Sequence, residues 1–160
     1  MNRWFLFNFG LLCLALWNIV RKNFFIHWQI PLLLGFIGLL FILFNWTRHA
    51  MYSTIRETPD RQRKIKYAKL SKKAIRIHKW TGSTALLFAI AHGISSWQTY
   101  KFTTYEIKMI FGLLALLTLL SVVIAGWLRH FWPTIRKRYW HLYLAMTMIF
   151  LVLIHIFIQN

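Results

Sequence analysis

The sequence predicts an all-α integral membrane protein: a bundle of about five transmembrane helices in one domain of residues 1–160. Hydrophobic residues make up 58% of the 160 residues and charged residues only 14%, whereas a soluble domain is about 25% charged. Five apolar runs approach the roughly 20 residues that a helix needs to cross the hydrocarbon core of a bilayer. The chain carries 20 Lys and Arg against 3 Asp and Glu, and most of these bases lie between the apolar runs.

Each apolar run has limits that can be read from the sequence. The predicted spans are Trp4–Val20, Trp28–Trp46, Ile75–Trp97, Thr104–Leu128 and Tyr139–Ile158. Tryptophan and tyrosine near their ends are typical of membrane interfaces. The first run lacks the small-residue cleavage site of a signal peptide, so we expect it to be a retained span.

The basic residues predict how the spans are oriented. Eleven of the 20 Lys and Arg residues fall between positions 48 and 79, and four more fall in 129–138. By the positive-inside rule both segments are expected in the cytoplasm, against anionic lipid headgroups. The amino terminus is then cytoplasmic and the carboxy terminus extracytoplasmic, in a multi-pass cell-membrane protein. Because the bases flank membrane spans, we expect lipid rather than nucleic acid as their partner.

Between the second and third spans, residues 58–73 are polar and basic. The segment begins with Thr58, Pro59 and Asp60, which suggests Thr58 as an N-cap and Pro59 at the first helical position. We therefore expect a short basic helix that lies on the membrane surface.

Histidines are the ionisable residues that stand inside the predicted spans. The third span holds His78 and His92, and the fifth holds His141 and His155, each pair 14 residues apart. In an α-helix this spacing returns to within about 40° of the same face, roughly 21 Å further along the axis. Ionisable residues inside a membrane are costly and usually functional.

The two histidine-bearing spans run in the same direction, so their histidines come level in pairs. His78 is expected opposite His141 near the cytoplasmic side, and His92 opposite His155 near the outer side. Two facing imidazoles can take both axial positions of a haem iron, and helix bundles commonly hold such groups. The sequence therefore predicts two haems that carry electrons across the bilayer.

Intramembrane histidines can also serve helix packing, proton transfer or zinc binding, and each of these roles fits less well. A single histidine on a helix is most often a packing residue, but two pairs with the same spacing are harder to obtain by chance. A proton pathway normally uses carboxylates, and Glu57, Asp60 and Glu106 fall at or outside the span ends. A zinc site needs three or four clustered ligands, which two histidines at one level do not supply.

These residues resemble a known family. The stretch from His78 to Gly82, the Ala-His-Gly of 91–93, and the stretch from Arg138 to Tyr143 with its later His155 are similar to the ferric-reductase-like transmembrane domain. The resemblance covers about residues 28–158. The domain occurs in ferric reductases, NADPH oxidases and the haem subunit of the bacterial periplasmic methionine-sulfoxide reductase system. It implies two b-type haems. The chain departs from the family by having five spans rather than the common six, and no segment for the flavin and nicotinamide module of larger members.

Several further residues are candidates for holding the haems. Gly82 and Gly93 are expected to let a porphyrin approach the helix backbone, and helix packing is an equally good explanation of both. Arg76, Lys79 and Arg136 are expected near the propionates of the cytoplasmic haem, although a solvated positive-inside charge accounts for each of them equally well. Gly35 and Gly38 are expected to serve helix packing only.

The function expected from the sequence is that of a di-haem b-type cytochrome, the electron-transfer subunit of an oxidoreductase. Its donor would be a cytoplasmic flavoprotein reductase or a quinol, with any flavin supplied through a partner. Its acceptor would be extracytoplasmic, and the sequence does not name it. The alternative is a haem-free membrane scaffold or transporter component.

Overall fold

The computed structural model describes residues 3–21, 29–100 and 106–158, and within these ranges the regular secondary structure is α-helix, with no strand. Its five helices are α1 (Arg3–Arg21), α2 (Ile30–Glu57), α3 (Arg61–Tyr100), α4 (Glu106–Phe131) and α5 (Ile135–Phe157). The predicted all-α class is confirmed.

Three of the five helices are long and apolar enough to cross a membrane, namely α2, α4 and α5. The apolar part of α1 is shorter, covering Arg3–Trp17. Helix α3 does not reach the same hydropathy, because its first half is basic and its second half is rich in Ser, Thr and Gly. Membrane crossing by α1 and α3 therefore stays a prediction. Trp28 and Thr104, where two predicted spans begin, lie outside the described residues.

The basic segment after α2 does not form a separate surface helix, as the sequence suggested, but is the first half of α3. Forty residues are helical without a break, because no Gly or Pro occurs between Arg61 and Thr81. The predicted cap is also displaced. Asp60 rather than Thr58 begins the helix, since its carboxylate accepts from the backbone N–H of Gln62 at 2.9 Å.

The chain forms two compact units whose boundary falls within α2 and α3. The first unit contains α1, residues 36–57 of α2 and residues 61–85 of α3. Its buried side chains include Leu43 and Ala50 of α2. The Thr81 hydroxyl donates to the Asn45 side-chain oxygen at 2.7 Å and so ties α3 to α2.

The second unit contains residues 30–35 of α2, residues 86–100 of α3, and all of α4 and α5. Helices α4 and α5 pack against each other, and the buried apolar side chains of the two helices are Ala115, Leu119, Met148 and Ile149. Pro133 lies between the two helices, and the Thr134 hydroxyl caps α5 by accepting from the N–H of Lys137 at 3.2 Å.

Candidate functional site

In the second unit, His92 of α3 and His155 of α5 come together as the sequence predicted. Their ring centroids are 6.1 Å apart and their ring planes are inclined at 76°. A metal–imidazole bond is about 2 Å long, so two imidazoles on opposite sides of one iron have centroids roughly 6 Å apart. The spacing of these two side chains therefore fits a haem iron with two histidine ligands.

The ring of His92 is held by the first turns of α2. Its Nδ1 lies 2.7 Å from the carbonyl oxygen of Pro31. A carbonyl only accepts, so Nδ1 carries the proton and Nε2 carries the lone pair that a metal takes. Gly35 lies against the same ring, and a Cβ at this position would stand 2.9 Å from Nδ1. Gly35, expected to serve helix packing only, thus makes room for the imidazole.

Helix α4 holds His155 in the same way. The Nδ1 of His155 lies 2.9 Å from the carbonyl oxygen of Lys108. Four residues further on, Gly112 lies against the ring, where a Cβ would stand 2.9 Å from Cε1. The Nδ1 proton and the Nε2 lone pair are therefore assigned as they are in His92.

His141 repeats the arrangement at the other end of α4. Its Nδ1 lies 3.0 Å from the carbonyl oxygen of Val122, and a Cβ at Gly126 would stand 3.3 Å from its Cε1. We use the term glycine seat for a glycine together with the carbonyl four residues before it that accepts from an imidazole. The described residues hold three: Gly35 with Pro31, Gly112 with Lys108, and Gly126 with Val122.

The seats were missed in the sequence, although one signal for them was present. Gly112 and Gly126 are 14 residues apart, as are His141 and His155. Helices α4 and α5 run antiparallel, so equal spacing on both helices keeps each glycine opposite its histidine. A glycine pair that repeats the spacing of a histidine pair is therefore a sequence signal for such seats.

His78 lies in the first unit and His141 in the second, so their predicted pairing stays a prediction. Within the second unit Gly35 of α2 lies against His92 of α3, and within the first unit Gly82 of α3 lies near Asn45 of α2.

His49 belongs to an aromatic cluster in the first unit. Its ring centroid lies 4.5 Å from that of Trp4, nearly perpendicular to it, and 5.4 Å from that of Trp46. His49 therefore packs among tryptophans at the end of α2 where the basic residues lie.

Gly82 and Gly93 both have room beside their backbone. For a Cβ at Gly82 the nearest heavy atom is Nδ2 of Asn45, and at Gly93 it is Cδ2 of Leu116, each at 3.9 Å. These are ordinary van der Waals distances, so neither position requires glycine for helix packing. Close approach of a porphyrin there stays a prediction.

Of the basic candidates, Arg76 and Lys79 lie near the middle of α3 and Arg136 lies in the first turn of α5. Arg76 and Arg136 are exposed and Lys79 is half-buried, with its ammonium 5.8 Å from the Trp80 ring centroid. Their pairing with propionates stays a prediction. At the far end of α5, the Lys108 ammonium donates to the Ile158 carbonyl at 3.1 Å, and so joins α4 to α5 beside His155.

In the part of the chain that the structure describes, no group of three or more His, Cys, Asp or Glu side chains is placed to hold a metal ion. A haem iron takes only two axial ligands from the protein, so a histidine pair is a different kind of site.

Comparison of the chain with protein-family models, with curated proteins and with solved structures gave no match. The geometry of the histidines therefore supplies the basis for a functional proposal.

Proposed function

We propose that this chain is a di-haem b-type membrane cytochrome that passes electrons from a cytoplasmic-side donor to an extracytoplasmic acceptor. The observation that carries the proposal is the pair His92 and His155, with ring centroids 6.1 Å apart. In both rings Nδ1 donates to a helix carbonyl, which assigns the lone pair to Nε2 in both.

The chain's own residues supply ligation and orientation. His92 and His155 would hold an iron through Nε2, while the hydrogen bonds at Nδ1 fix the tautomer and make each imidazole a stronger ligand. When bound, haem would supply reversible one-electron chemistry, and an iron held by both imidazoles would have no open position for a substrate. The site is therefore suited to relaying electrons rather than to bond chemistry.

His78 and His141 are proposed to hold the second haem. The support is that His141 has the same kind of seat as His155, on the same helix and 14 residues away. At 1.5 Å per residue the two levels are about 21 Å apart, which places one near each side of a hydrocarbon core about 30 Å thick.

The electron donor is proposed to bind at the basic end of the bundle. The first half of α3 exposes most of its Lys and Arg side chains between Arg61 and Arg76. One of these bases, Arg63, forms an exposed ion pair with Asp60 at 3.4 Å. A dense positive surface attracts an acidic flavoprotein, and a quinol reaching the bundle from the bilayer is the other donor that the proposal allows. The chain would then be the electron-transfer subunit of an oxidoreductase, as its resemblance to the ferric-reductase-like domain implies.

Reconstitution in vesicles tests electron transfer across the membrane. Vesicles that contain the chain and trapped ferricyanide receive NADH, flavin and a soluble flavin reductase on the outside. We expect the trapped ferricyanide to be reduced by wild-type vesicles much faster than by protein-free vesicles, since only a transmembrane relay joins the two compartments. His92→Ala should abolish the difference, whereas His130→Ala should keep it. Equal rates in wild-type and protein-free vesicles would contradict the proposal.

A further inference from the structure

We infer that Gly35, Gly112 and Gly126 are positioning residues, which give an imidazole on the neighbouring helix access to one helix carbonyl and thereby set its tautomer and ring plane. The inference rests on the proposed function for the identity of the metal group. It does not depend on that function for the tautomer, because the hydrogen bonds belong to the protein alone.

The first step concerns the acceptor. In an α-helix the carbonyl of one residue accepts from the N–H four residues later, so the carbonyl of Pro31 is the intrahelical acceptor for Gly35. A carbonyl oxygen has a second lone pair. In all three seats the imidazole takes that lone pair, at 2.7, 2.9 and 3.0 Å.

The second step concerns space. A side chain at the glycine would cover this second lone pair, because Cβ points back toward the preceding turn of its helix. At Gly35 and Gly112 a Cβ would stand 2.9 Å from a ring atom, and at Gly126 it would stand 3.3 Å away. The first two distances require the ring to move. The third requires a displacement of only a few tenths of an ångström.

The third step concerns the ligand. Partners of the second ring nitrogen fix the orientation and the basicity of a metal-binding histidine. The seats of His92 and His155 lie on different helices, α2 and α4, and the two ring planes are inclined at 76°. The positions of the two acceptor carbonyls and of the two glycines therefore set the steep angle between the ring planes.

Close helix packing is the competing role for these glycines. If they served packing alone, an alanine would lower stability and leave the imidazole hydrogen bonds of the folded protein unchanged. The two roles therefore differ in a property of the ring and not in stability.

The test is nitrogen NMR of the reduced, full-length chain with ¹⁵N-labelled histidine. We expect slowly exchanging Nδ1–H signals for three imidazoles, which His→Gln variants assign to His92, His141 and His155. Gly112→Ala should remove or strongly shift the His155 signal and leave that of His141. Gly126→Ala, the milder change, should shift the His141 signal and keep it. Gly10→Ala is the matched control, since nothing lies within 4 Å of a Cβ there.

A second readout separates this inference from the proposed function. In oxidised protein that carries haem, the electron paramagnetic resonance signal of a two-imidazole haem depends on the angle between the ring planes, so Gly35→Ala and Gly112→Ala should change its largest g-value. Protein without haem would give no such signal, while the NMR spectrum would still test the seats. Unchanged Nδ1–H signals in folded Gly35→Ala, Gly112→Ala and Gly126→Ala would overturn the inference.

Discussion

The imidazole of His92 lies beside that of His155, with 6.1 Å between ring centroids and 76° between ring planes. Each ring is held by a helix other than its own, through the carbonyl of Pro31 on α2 or of Lys108 on α4. Four helices thus converge on one pair of side chains. This arrangement makes the site of His92 and His155 sensitive to substitutions on helices that carry none of its proposed ligands.

Removing one ligand of the outer pair should remove one haem. We expect His155→Ala to lose about half of the b-type absorbance of the purified protein, because the pair of His78 and His141 is left intact. His130→Ala, a histidine outside both pairs, should keep the full absorbance. A reduced-minus-oxidised spectrum normalised to protein measures this. An undiminished haem content in His155→Ala would rule out the pairing.

Thr81 and Asn45 provide a test of the first unit. Their hydrogen bond of 2.7 Å joins α3 to α2, and such bonds between membrane helices contribute about 0.6 kcal/mol on average and at most about 1.7 kcal/mol. Thr81→Val should lower the free energy of unfolding by an amount in this range, measured by denaturation in mixed micelles. Thr84→Val, which loses only a bond to its own helix, should have a smaller effect. Equal effects of the two variants would show that the interhelical bond contributes nothing.

The orientation of the chain can be read from a fusion to its carboxy terminus. Because 11 bases between positions 48 and 79 and four in 129–138 favour the cytoplasm for those segments, the residues after α5 should be extracytoplasmic. A reporter fused after Asn160 should be active only if it works outside the cytoplasm. Activity of a cytoplasm-only reporter at this position would reverse the proposed direction of electron flow.

The basic half of α3 should control reduction by a protein donor. Replacing Arg61, Lys64 and Lys72 by Gln should slow haem reduction by an acidic flavin reductase. The effect should fade as salt rises, since charges are screened over about 8 Å at physiological ionic strength. Stopped-flow absorbance measures the rate, and Arg21→Gln, outside the basic half of α3, is the control. If rates are independent of both the charges and salt, the basic residues only orient the chain and bind lipid.

The spacing of the histidines made part of the site predictable. The equal 14-residue spacing, together with two spans expected to run in the same direction, predicted that His92 is level with His155, and the structure brings their rings together. The partners of the Nδ1 atoms could not be predicted in this way, because each is a backbone carbonyl, and every residue has one. Of the glycines, those expected to approach a porphyrin, Gly82 and Gly93, touch no histidine, while Gly35, expected only to pack, does.

The sequence predicted the presence of the helices better than the residues at which they begin and end. Segment 58–73 was expected to be a separate surface helix because it is polar and basic and begins with Thr58, Pro59 and Asp60. A change of polarity does not end a helix, however, and α3 contains no Pro that would break it, so the helix continues through the change. The N-cap of α3 is Asp60 rather than Thr58, because Thr58 still belongs to the end of α2. The N–H of Thr58 donates to the Thr54 carbonyl at 3.0 Å.

The central claim is that two pairs of histidines each hold one haem, and the haem-to-protein ratio tests it most directly. The pyridine haemochrome assay on the purified full-length chain, with protein quantified by amino-acid analysis, gives this ratio. The account predicts two b-type haems per chain. A ratio of one would remove the proposed pair of His78 and His141, and a chain that purifies folded and without haem would contradict the account.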